Sequence, residues 1–117
     1  GAAGCYPRLP VNAPREIGAR ELRRRLERGD PIVLLDVRQP GEFAASRLPG
    51  ARLIPLPELP HRLGELDPAA EIVAYCAVGE RSAAAVEFLR RRGFLHVLNL
   101  AGGIHGWADE IDSGALR

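Results

Sequence analysis

The sequence predicts an α/β fold, a small doubly wound parallel sheet flanked by helices. Short unbroken apolar runs lie between turn residues, as in strands buried on both faces, and helical patterns fall between those runs. The two kinds of segment alternate along the chain, which is the signature of parallel strands joined by crossover helices. With 117 residues and 46% hydrophobic content, the chain has the length and apolar surface for one core.

Residues 1–15 carry Pro7, Pro10 and Pro14 beside Gly4 and Asn12 and read as an irregular arm or linker. The domain is expected to span 16–112, with 113–117 as a tail. From Ala19 to Arg28, Leu22 and Leu26 form a narrow apolar stripe among arginines that face water, and Gly29-Asp30-Pro31 stops the helix. Ile32-Val33-Leu34-Leu35 is a buried strand closed by Asp36. Pro49-Gly50 marks a turn, Arg52-Leu53-Ile54 a second strand, and Leu56 to Leu66 a helix interrupted by Pro57 and Pro60. Glu71 to Cys76 is the next strand. Ser82 is the expected N-cap of an Ala-rich helix that buries Ala85, Val86 and Leu89 and ends at Arg90-Arg91-Arg92, with Gly93 as the left-handed C′ residue. His96 to Leu100 forms the last strand. Gly102-Gly103 opens a closing helix with Ile104, Trp107, Ala108 and Ile111 on one face and Trp107 anchoring it in the core.

Sixteen Lys+Arg, all of them Arg, oppose fifteen Asp+Glu for a net charge of +1, so no global field points to nucleic acid or a membrane surface. The triplets Arg23-Arg24-Arg25 and Arg90-Arg91-Arg92 fan out around their helices without interleaved aromatics and read as solvated faces. No apolar run is long enough to span a membrane, and the first residues lack a signal-peptide pattern, so a cytoplasmic setting is expected. Cys5 and Cys76 should then remain thiols unless chemistry uses them. With His61, His96 and His105 they show no metal-ligand spacing, and no metal or cofactor is called for. The sequence has no Met, which suggests a piece of something longer.

The chemical signal is Cys76-Ala77-Val78-Gly79-Glu80-Arg81-Ser82, a thiol at a strand end followed by a short loop into a helix. Such a loop points successive N–H groups inward, and the helix N-terminus adds partial positive charge, so a thiolate at its centre is stabilised. Gly79 relieves crowding in the tight part of the loop. Arg81 offers a bidentate fork to the loop or to an oxyanion.

Leu35-Asp36-Val37-Arg38, Glu42-Phe43, Leu48-Pro49-Gly50-Ala51, the Cys76 loop, Gly93-Phe94 and Leu100-Ala101-Gly102-Gly103-Ile104 to Trp107 follow in an order that resembles the rhodanese family of sulfurtransferases. The resemblance implies that Cys76 accepts sulfur from thiosulfate or a desulfurase persulfide, becomes a persulfide and passes the outer sulfur on. It also implies that the backbone amides of Ala77 to Ser82 hold the persulfide, while Asp36 and Arg38 order the neighbouring loop. Ile54-Pro55-Leu56, Leu63-Gly64-Glu65-Leu66 and the ending around Trp107 are similar to the rhodanese domain of MoeB/ThiF-type adenylyltransferases. This adds a ubiquitin-like sulfur carrier and an adenylyltransferase domain as expected partners, in molybdopterin, thiamine or tRNA thiolation. The chain departs from that subtype in placing Ala77 and Val78 after the cysteine, where polar or basic residues are common, and in the acidic Glu80. Two other readings use the same residues. One is a rhodanese module that only binds protein. The other is a relative of the cysteine phosphatases and arsenate reductases, whose loop is one residue longer.

Overall fold

The structure, a computed structural model, describes residues 15–111; most of the expected arm, Cys5 and the expected tail lie outside them. Strands β1 (Glu16–Ile17), β2 (Ile32–Asp36), β3 (Arg52–Leu53), β4 (Glu71–Tyr75) and β5 (Val97–Leu100) form one sheet in the order β1-β5-β4-β2-β3, and every pairing is parallel. Helices α1 (Ala19–Glu27), α2 (Pro40–Ala45), α3 (Glu80–Arg91) and α4 (Gly103–Glu110) complete the domain together with two 3₁₀ turns, Leu56–His61 and Leu63–Glu65.

The pleat sorts the strand residues into two cores. Leu35, Ile72, Ala74, Cys76 and Val97 pack with Ala85, Val86 and Leu89 of α3 and with Leu59 of the first 3₁₀ turn. Leu34, Val73, Tyr75 and Leu100 pack on the opposite face with Ala19 and Leu22 of α1 and Ile104 and Trp107 of α4. Strand β4 sits between β2 and β5, with Ile32 to Asp36 registered against Glu71 to Tyr75. The period of two therefore delivers Cys76 to the α3 face at the carboxyl edge, where ligands bind in open parallel sheets.

Several sequence expectations shift. The segment from Leu56 to Leu66 is 3₁₀ rather than α, because Pro60, inside the segment, removes an N–H donor that a regular helix needs, whereas Pro57 sits in the first turn where none is needed. Helix α2 was not expected, although Pro40 in its first turn and Glu42, which accepts the Gln39 N–H at 3.0 Å, are start signals. Ser82 is not the N-cap of α3: the cap is Gly79, and Ser82 lies fully buried in the first turn. Gly93 follows the C-cap of α3 with φ of 92°, as expected. Two arginines of the triplets are not on solvated faces. Arg25 donates to Asp30 at 2.9 Å and bidentately to Glu71, tying the end of α1 to the start of β4. Arg90 donates to the Val97 carbonyl from Nη2 at 2.9 Å.

Ile72 is fully buried in the middle of the α3-face core. Ile72→Ala is expected to destabilise the domain by about 2–5 kcal/mol, read as a lower urea midpoint with an unchanged slope. A loss below about 1 kcal/mol would mean that this core is not close-packed around Ile72.

Candidate active site

The backbone chemistry at the end of β4 follows from one crowded contact. Gly103, with φ of 61°, lies so near the loop that a Cβ there would sit 2.5 Å from the Cys76 carbonyl oxygen and nearer still to that of Ala77. This close approach lets the first amides of α4 reach the loop: the Ile104 N–H donates to the Cys76 carbonyl at 2.9 Å and the His105 N–H to the Ala77 carbonyl at 3.1 Å. Those two carbonyls are held outward, toward α4. Gly79 then turns the chain with φ of 113°, a conformation open to glycine, and the N–H groups behind it face the sulfur.

Cys76 Sγ receives the Gly79 N–H at 3.1 Å and the Ser82 N–H at 3.4 Å, and Ser82 Oγ lies 3.3 Å from it. Burial, the largest single influence, pushes the thiol up, but the Ser82 hydroxyl and the amides of Ser82, Gly79 and Arg81 together hold it below its ordinary value. The residue is 1% exposed, so the sulfur is sheltered rather than displayed. In the same loop Val78 is 55% exposed, the only exposed large hydrophobic side chain among the described residues. Glu80 is exposed beside it.

The sequence offers the Arg81 fork to the loop or to an incoming anion; the structure pairs it with an acid and keeps it within reach of the Cys76 sulfur. Its two terminal nitrogens donate to the two oxygens of Glu42 on α2 at 2.8 and 2.9 Å. The Arg81 guanidinium draws the Glu42 carboxyl from 4.5 down to about 2, helped by the Gln39 N–H. Glu42 therefore caps its own helix and clips the cysteine loop to it.

Asp36 and Arg38 do not touch the sulfur. They form a buried pair one strand away, with Arg38 Nη2 donating to Asp36 at 2.7 Å and to the Ser46 carbonyl at 2.6 Å. Burial opposes the Arg38 charge, but Asp36 outweighs it and raises the guanidinium above its ordinary value. Ser46 ends α2, so the pair fixes the helix that presents Glu42 to Arg81. Tyr75 closes the opposite face by accepting the Leu48 N–H at 3.1 Å.

One site residue was missed by the sequence reading. Asn99 on β5 is 4% exposed, with Oδ1 2.5 Å from Ser82 Oγ and Nδ2 donating to the Gly79 carbonyl at 3.1 Å. An Asn inside an otherwise apolar strand was the available signal, since a buried amide is retained only where it is hydrogen-bonded. No group of three or more His, Cys, Asp or Glu suited to a metal occurs among the described residues, and none of their helices is long and apolar enough to cross a membrane.

Comparison with known proteins agrees with this geometry. The family described as Rhodanese-like domain matches residues 18–110. A protein of Allochromatium vinosum named Sulfurtransferase is 38% identical over 93 residues, covering 80% of this chain and 87% of the relative. The probable adenylyltransferase/sulfurtransferase MoeZ of Mycobacterium tuberculosis is 38% identical over 97 residues, but the match takes in 81% of this chain and only 25% of MoeZ. A rhodanese-like domain protein from Staphylococcus aureus superposes with a TM-score of 0.78 at 34% identity, covering 88% of this chain and 96% of that one.

Two outcomes test the site's construction. Gly103→Ala is expected to destabilise the domain by about 2–4 kcal/mol through the clash and the positive φ. Gly64→Ala, with nothing within 4 Å of the new Cβ, serves as a control expected to stay within roughly 0.5 kcal/mol. Equal melting temperatures for the two variants would refute the close approach. Glu42 has a depressed pKa, so the clip is complete above its unfolded value of 4.5 and is lost as pH falls through about 2. A carboxyl carbon titration by NMR should find this low midpoint, and Arg81→Ala should raise it toward the ordinary carboxylate range, short of a full return because the Gln39 N–H bond remains.

Proposed function

Because the chain belongs to the rhodanese-like domain family, we propose that it is a sulfurtransferase that carries sulfane sulfur as a persulfide on Cys76. Relatives named sulfurtransferase support sulfur transfer in general. The observation that carries the finer reading is the convergence of the Gly79 and Ser82 amides and the Ser82 hydroxyl on one sheltered thiol. Such donors favour a thiolate and need no metal to do so.

In the loading step the Cys76 thiolate attacks the outer sulfur of a donor R–S–SH. A bond forms from Sγ to that sulfur, the donor's S–S bond breaks, and its electron pair leaves on R–S⁻ while the proton stays on the transferred sulfur. With thiosulfate the leaving group is sulfite and the product is Cys76–S–S⁻. In the unloading step a thiolate acceptor R′–S⁻ attacks the outer sulfur, the bond from Sγ to that sulfur breaks, its electron pair leaves on the Cys76 thiolate, and the acceptor becomes R′–S–SH, or R′–S–S⁻ where the outer sulfur carried no proton. The loop from Ala77 to Ser82 holds the transferred sulfur through its backbone. Arg81 is a positioning residue that fixes the loop through Glu42, and Asp36 and Arg38 fix α2 in turn.

The Arg81 fork, occupied by Glu42, argues against the phosphatase reading, in which a free fork would grip a phosphate dianion. The retained Cys76 and its donors argue against a module that only binds protein. MoeZ, named an adenylyltransferase/sulfurtransferase, supports an adenylyltransferase domain as a partner, and a Bacillus subtilis relative named a putative sulfur carrier protein supports a sulfur carrier. The setting we propose with them is molybdopterin or a related thiolation pathway in the cytoplasm.

Intact mass spectrometry after incubation with thiosulfate or a desulfurase donor is expected to show a gain of about 32 Da that dithiothreitol reverses. The gain should persist in Cys5→Ser and vanish in Cys76→Ser, whose melting temperature should stay close to that of the parent. Sulfur uptake by Cys76→Ser would sink the mechanism.

A further inference from the structure

We propose that Asn99 is a positioning residue for the nucleophile: its Oδ1 accepts the Ser82 hydroxyl hydrogen bond while the Cys76 sulfur is neutral and gives up that bond to the sulfur when the sulfur becomes an anion. The argument begins with proton counting. Ser82 has one hydroxyl hydrogen but two acceptors within reach, Asn99 Oδ1 at 2.5 Å and Cys76 Sγ at 3.3 Å. The orientation of the Asn99 amide is fixed by its other end, because the Gly79 carbonyl can only be met by Nδ2. Oδ1 therefore always faces Ser82, and the hydroxyl has a lasting alternative to the sulfur.

With a neutral thiol the shorter, oxygen-accepting bond wins. The hydroxyl then points to Asn99, and a lone pair on Oγ faces Cys76 and can accept its S–H. That same lone pair opposes a thiolate, so ionisation rotates the hydroxyl onto the sulfur and leaves Oδ1 buried without a donor. Asn99 thus holds back thiolate stabilisation that Ser82 could otherwise give in full. If the sulfur-carrier reading above holds, the same switch favours the loaded state: once the outer sulfur carries the charge, Sγ is neutral and the hydroxyl returns to Asn99. The sign does not depend on Gly79 losing an anchor, because its carbonyl also accepts the Ala83 N–H at 3.1 Å.

The titratable and charged side chains around Cys76 are Glu80 and Arg81 of its own loop, Arg81 interacting with the sulfur, Glu42 on α2 paired with Arg81, Tyr75 next to Cys76 on β4, the Asp36–Arg38 pair at the end of β2, and His105 on α4, while Glu71, Glu87, Arg90, Arg91, Asp109 and Glu110 lie farther along β4, α3 and α4. None is altered by substitution at Ser82 or Asn99.

The test uses the full chain carrying Cys5→Ser, so that Cys76 is the only thiol, and follows the ultraviolet absorbance of the thiolate against pH. Ser82→Ala should raise the midpoint by roughly one unit. Asn99→Leu, which keeps the shape but removes the acceptor, should lower it by about half a unit or more. Asn99→Asp, which keeps an acceptor for Ser82, should leave it at or above that of the parent. The double variant Ser82→Ala with Asn99→Leu should match Ser82→Ala alone, since without the hydroxyl Asn99 has nothing to hold. A merely structural Asn99 would move the Leu and Asp variants in one direction. An unchanged or raised midpoint in folded Asn99→Leu overturns the proposal. Should that variant fail to fold, a midpoint in Asn99→Asp below the parent's overturns it instead. No sulfur donor is needed for these titrations, so failure to form a persulfide would count against the sulfur-carrier reading and leave this one standing.

Discussion

A sulfur atom buried at the end of a central strand needs donors, and the backbone at this site is arranged to supply them. Amides point at Cys76 only because the preceding carbonyls are held the other way, toward the N–H groups of Ile104 and His105. That exchange requires α4 to start almost in contact with the loop, which requires no Cβ at Gly103. The position of α4 depends in turn on Ile104 and Trp107 packing with α1 against the sheet. One face of the core therefore builds the support, and the other receives the sulfur.

Charge is used sparingly around this centre. Each cation near the loop is matched: Arg81 with Glu42, and Arg38 with Asp36. A buried pair such as Asp36–Arg38 gives little net stability against an apolar replacement, whereas loss of one member leaves a buried charge uncompensated. Its value is geometric, since Arg38 also holds the Ser46 carbonyl at the end of α2. The thiolate is favoured by the Ser82 hydroxyl, by the amides of Ser82, Gly79 and Arg81, and by the Arg81 charge, groups positioned by the fold before any reaction.

Much of this was legible in the sequence because the relevant signals are local. The apolar runs at Ile32 and Glu71, the Ala-rich α3 and the strand-to-helix loop at Cys76 are each set by a few neighbouring residues, and Ile104 and Trp107 revealed their face by spacing. What stayed hidden depends on distant partners. Arg81 and Glu42 meet only after α2 packs beside the loop, and Arg25 turns inward because β4 begins with Glu71. Ser82 has the composition of an N-cap, but the tight turn at Gly79 starts α3 earlier and buries its hydroxyl beside Asn99. Asn99 itself looks like an ordinary strand residue until the register of β5 against β4 places it across from Ala74.

The hook of α4 onto the loop also bears on the order in which the domain is completed during synthesis. Strand β4, the loop and α3 all precede Gly103 in the chain, so a growing polypeptide contains the thiol well before it contains the amides that turn the loop carbonyls away. Domains generally fold as units, and parallel strands distant in sequence pair slowly. The donors around Cys76 are therefore complete only once α4 has been made and has reached the loop.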